Sequence, residues 1–107
     1  MREIKHLVST EEYAGSFTVK VPRRAERCTL QMLAMKASEK AKEDPSAYFE
    51  FSEKLLNENL VTLDLVHVPS ETKIEKREDL EYVESESLIA MICSIVVGGE
   101  KLGKKNV

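Results

Sequence analysis

A chain of 107 residues with a formal charge of -3 suits a single domain with one modest core, since such cores form at roughly 100 to 150 residues. Its 42% hydrophobic and 33% charged content excludes a disordered acidic chain and an integral membrane protein, and the acidic balance argues against nonspecific binding to nucleic-acid phosphates. The longest apolar run, "LIAMIC" followed after Ser94 by "IVV", falls far short of the roughly 20 residues that span a bilayer, and "MREIKHLVSTEEYAG" has no apolar leader core. Cys28 and Cys93 lack CxxC spacing and neighbouring histidines, so both are expected to be small buried hydrophobes in a reducing cytoplasm.

The first elements follow from two-residue periodicity. Phe17, Val19 and Val21 alternate with Thr18 and Lys20, which predicts a strand over 17–21 ending at Pro22. Ile4, His6 and Val8 repeat the pattern over 3–8, and "STEEYAGS" between the two is expected to be a hairpin loop. From about 24 to 43 the chain contains no Gly or Pro and many strong helix formers, and it meets a stop at Asp44-Pro45. Wound as a helix, this segment sets Leu30, Leu33, Ala34, Ala37 and Ala41 on one face and Cys28, Met32 and Met35 on a second. The second stripe is either further core or an adaptable contact surface, because methionine side chains repack readily against a partner. The cations of the same helix form no nucleic-acid stripe: Arg23 and Arg27 lie opposite Lys36 and Lys40, with Glu26, Glu39 and Glu43 between.

A shorter helix is predicted over 46–57, with Ser46 as its N-cap and Ala47, Phe51 and Leu55 facing the core. "LVTLDLVHV" then predicts a strand over 61–67 in which Asp64 and His67 point to opposite faces and cannot form a carboxylate-imidazole pair. There is no nucleophile elbow, P-loop, dinucleotide fingerprint or HExxH, and His6 and His67 are read as structural, not catalytic or metal-ligating. Residues 69–87 hold seven acids against three bases, whereas "GGEKLGKKNV" holds three lysines and one glutamate. That separation could steer contacts between copies or with a charged partner, or it could be a solvated loop and a loose tail. Between the charged pieces, 84–97 is predicted to be a helix apolar on nearly every side, with Leu88, Ile89, Ile92, Ile95 and Val96 as its main stripe.

The succession "LVTLDLVHV", a turn, "KIEKREDLEYV" and "LIAMICSIVVGGEKLGK" resembles the tail assembly chaperones of long-tailed bacteriophages and related prophages. "FTVKVPRRAER" is similar to the strand-proline-basic entry of that family, so the likeness runs in order from about 17 to 104. Where many members place a glycine turn, this chain has "VPSETKI". The resemblance implies a non-enzymatic protein without cofactor or metal that binds the tape measure protein, helps recruit the tail tube protein and self-associates as a homo-oligomer. It also implies that a frameshifted longer product can exist.

The expectation is therefore one mainly helical α+β domain over 1–107 with a small antiparallel sheet and a short flexible tail from about 100. Met32, Met35, Met91 and Val97 are the candidate contacts with a partner or a second copy. A small bacterial enzyme or ligand-binding domain and a housekeeping adaptor are the alternative functions. No nucleic-acid or membrane partner is expected.

Overall fold

A computed structural model describes residues 2–83 and 85–98; the expected tail from about 100 and the helix start at Glu84 lie outside the described residues. Four strands form one antiparallel sheet in the order β1 (Arg2–Ser9), β2 (Tyr13–Val21), β3 (Leu60–His67), β4 (Thr72–Ile74). Three α-helices accompany it: α1 (Arg24–Lys40), α2 (Ser46–Asn59) and α3 (Glu86–Gly98), with a short 3-10 helix at Arg77–Tyr82. The α+β expectation holds. α2 and α3 lie on one face of the sheet, and α1 packs on those two helices.

The β1–β2 hairpin is tighter than "STEEYAGS" suggests, because strand pairing continues to Ser9 and Ala14. The Thr10 hydroxyl organises the turn, accepting hydrogen bonds from the backbone N–H of Glu12 (3.2 Å) and Tyr13 (2.9 Å). Tyr13 is thereby set at the start of β2, buried in the core. Gly15 follows at φ +132°, where a Cβ would stand 2.2 Å from the Asp64 carbonyl oxygen of β3. Only glycine fits both that backbone conformation and that close approach.

α1 ends at Lys40, short of the expected Glu43, as the Lys40 carbonyl accepts the N–H groups of Glu43 and Asp44 in a closing turn. α2 begins at Ser46, yet Ser46 does not cap it as expected. The Asp44 carboxylate does so, accepting from the Ser46 hydroxyl (2.7 Å) and N–H (3.1 Å), and these bonds hold its carboxyl below the usual range. The helix runs past 57 straight into β3, with the Asn59 side-chain amide donating to the Leu55 carbonyl at 3.1 Å.

β4 was not anticipated. It is three residues long, too short for a periodic signal, and it pairs Ile74 with Leu65 after a turn in which Glu71 adopts φ 56°. Glu71 thus occupies the left-handed position that a glycine turn would fill. The 3-10 helix is anchored by the Asp79 carboxylate, which accepts the N–H groups of Glu75 (2.9 Å) and Lys76 (3.0 Å) and is stabilised in its charged form by them. The core gathers Phe17, Val19, Leu63, Leu65 and Ile74 from the sheet, Leu55 and Leu56 from α2, and Leu88, Ile92, Cys93 and Val96 from α3.

Candidate functional site

The two stripes of α1 have different fates. Leu30, Ala34, Ala37 and Ala41 are half-buried against the body, whereas Leu33, expected on the same face, is exposed because it sits at the margin of that stripe, and the Gln31 side chain donates to the Val97 carbonyl at the end of α3 (3.3 Å). Cys28, Met32 and Met35, at i, i+4 and i+7, face solvent: Met32 is 57% exposed and Met35 71%. Cys28 is therefore not the buried hydrophobe expected from composition. No residue of α1 is fully buried. Met91 and Val97 are half-buried on α3 and pack against the core, so the four candidate contacts are divided between an exposed pair and a packed pair.

A second feature has no counterpart in the sequence reading. α2, the 3-10 helix and the first half of α3 enclose a groove of about 430 Å³, with Leu56, Leu80, Ile89 and Cys93 among its apolar lining and the exposed Phe49 at its edge. Arg77 pairs with Glu53 along its wall, and the Arg77 Nε is buried without a hydrogen-bond partner among the described residues. Counting charge over 69–87 hid this, since Arg77 reads there as a minority cation in an acidic segment. A clue was present in "SAYFEFSEK": with Phe51 turned to the core, Phe49 must turn outward.

The groove's chemistry is subdued. Burial first, and the Glu53 carboxylate second, push the Cys93 thiol from 9.0 to about 11, so it stays protonated at neutral pH and is a poor nucleophile. On β3, Asp64 pairs with Ser16 on the open face of the sheet, and His67 pairs with Tyr13 on the helix-covered face, their rings 5.2 Å apart. The two side chains diverge as alternation demands. His67 Nδ1 contacts the Ser70 hydroxyl at 2.7 Å, which in turn meets the Thr72 hydroxyl at 2.8 Å, so hydroxyls of the β3–β4 turn engage the imidazole. Among the described residues no group of three or more His, Cys, Asp or Glu side chains could hold a metal ion, and no helix is long and apolar enough to cross a membrane.

Comparison with protein-family models, with curated proteins and with solved structures gives no match.

Proposed function

We propose that this chain is a non-enzymatic phage tail assembly chaperone that holds the tape measure protein through the outer face of α1 and assists assembly of the tail tube. The observation that carries the reading is the exposed Cys28, Met32, Met35 stripe, an adaptable apolar strip on a helix that contributes no fully buried residue to the core. The order of segments that resembles the chaperone family supplies the identity of the partner; the stripe supplies a place to bind it. In this reading the protein works in the cytoplasm of the infected host, as a homo-oligomer.

Co-expression with a tape measure fragment tests it. The wild-type chain is expected to co-purify with the fragment, while Met32→Lys with Met35→Lys abolishes capture and leaves circular dichroism unchanged, because charge cannot be accommodated in the dry centre of an interface. Normal capture by the folded double variant would overturn the assignment of this face.

The groove favours a second reading, a ligand-binding domain, because about 430 Å³ lies within the 300–1,000 Å³ typical of small-molecule sites. Ligand thermal shifts abolished by Ile89→Arg, in a chain that fails to capture the tape measure fragment, would select that reading.

A further inference from the structure

We propose that β1 is a self-pairing edge: two copies of this chain join antiparallel along it about a two-fold axis at Ile4, so that Glu3 of each copy faces Lys5 of the other.

β1 ends the sheet with eight residues, while the opposite end is the three-residue β4. Among the described residues, no strand pairs with its outer side. Two backbone bonds determine which groups point there. Thr10 N–H donates to the Tyr13 carbonyl at 2.8 Å, which makes this couple a hydrogen-bonded pair of the β1–β2 register. Bonded and non-bonded pairs alternate in an antiparallel ladder, so Val8, His6 and Ile4 turn their backbone groups toward β2. Val68 N–H donating to the Glu12 carbonyl at 2.8 Å gives the matching parity on the other side of β2, whose even-numbered residues turn to β3. The N–H and C=O groups of Glu3, Lys5 and Leu7 therefore project from the open edge, where they can template another strand.

Charged side chains commonly block such an edge. Here their order does something else. A two-fold at Ile4 places Glu3 opposite Lys5 twice, in the bonded positions that the parity requires, and Ile4 opposite Ile4 on the helix-covered side. The neighbouring registers of correct parity centre on Glu3 or on Lys5 and set like charges face to face. A slip to the opposite parity would oppose outward groups with groups already committed to β2. The charges thus select one register, and the two four-stranded sheets become a single eight-stranded sheet. The partner is a second copy, because the complementarity is of the segment with itself. This edge is separate from the α1 face, and the inference does not depend on the functional reading.

Sedimentation of the full chain over a concentration series is the test, with hydrogen exchange at the Glu3 and Lys5 amides as a second readout. Wild type is expected to dimerise, with both amides gaining protection as the dimer forms. Glu3→Lys or Lys5→Glu, each counted twice by symmetry, should weaken the dimer by about tenfold or more, and the swap of both should restore it to within about threefold. Met32→Lys with Met35→Lys should leave the dimer intact. A wild-type chain monomeric throughout, single reversals without effect, a swap that fails to restore, or a dimer lost with the methionine pair would each overturn the proposal.

Discussion

α1 and α3 both carry more apolar side chains than a solvated helix needs, yet they stand at opposite ends of the packing scale. α3 sinks Leu88, Ile92, Cys93 and Val96 into the core, whereas α1 buries no residue fully. Their sequences explain why each is nonetheless a helix. α1 is rich in Ala, Leu, Met, Glu, Lys and Arg, which favour helix locally, and Glu26 accepts the Arg23 N–H at its start (3.2 Å). α3 contains Ile89, Ile92, Ile95, Val96 and Val97, whose β-branched side chains lower helix propensity, so tertiary packing must hold it. A helix that needs little from the core to form is free to turn an apolar face outward.

The sharpest way to break this contrast is to truncate one side chain in α3. Ile92→Ala should destabilise the fold by about 2–5 kcal/mol in urea denaturation, through lost transfer energy and the cavity left behind. A loss below 1 kcal/mol, of the size expected for a surface site, would mean that α3 is not the helix that closes the core.

The second thiol sharpens the comparison through pH. Because the folded pKa of Cys93 is raised from 9.0 to about 11, its contribution to stability is fully present below pH 9 and is lost as pH rises through about 11. Wild type should therefore lose stability between pH 9 and 11 relative to Cys93→Ala, as followed by thermal melts. Parallel curves would mean that the thiol is hydrated in the folded protein.

The smallest expected effect on stability comes from α1. Met32→Lys with Met35→Lys should shift unfolding free energy by no more than about 0.5 kcal/mol per site, as surface substitutions do, even though the same pair is expected to eliminate partner capture. Unfolding of the double variant would place the stripe in the core after all.

Much of the architecture was legible because it rests on periodicity. Phe17, Val19 and Val21, then Leu63 and Leu65, mark the core face of the sheet, and the stripe through Leu88, Ile92 and Val96 marks that of α3. What escaped depends on single side chains acting on the backbone. The Thr10 hydroxyl shortens the hairpin loop, the Asp44 carboxylate takes the cap expected of Ser46, and Glu71 accepts a left-handed conformation so that β4 can return. None of these leaves a repeating pattern. The two apolar stripes of α1 were visible, but periodicity does not say which of two stripes meets the core, and Cys28, read as a buried hydrophobe for want of ligand or redox spacing, lies on the outer one. The groove was invisible for a different reason: Glu53 and Arg77 are 24 positions apart and meet because α2 and the 3-10 helix pack side by side.

Cys28 supplies the most direct measurement, since it lies in line with Met32 and Met35. Its alkylation should be followed in the native chain with and without a bound tape measure fragment, with Cys93 as the internal control. Cys28 is expected to react readily in the free protein and to become protected in the complex, while Cys93 stays inert in both; a Cys28 that remains equally reactive in the complex would contradict the claim that the outer face of α1 is the binding surface.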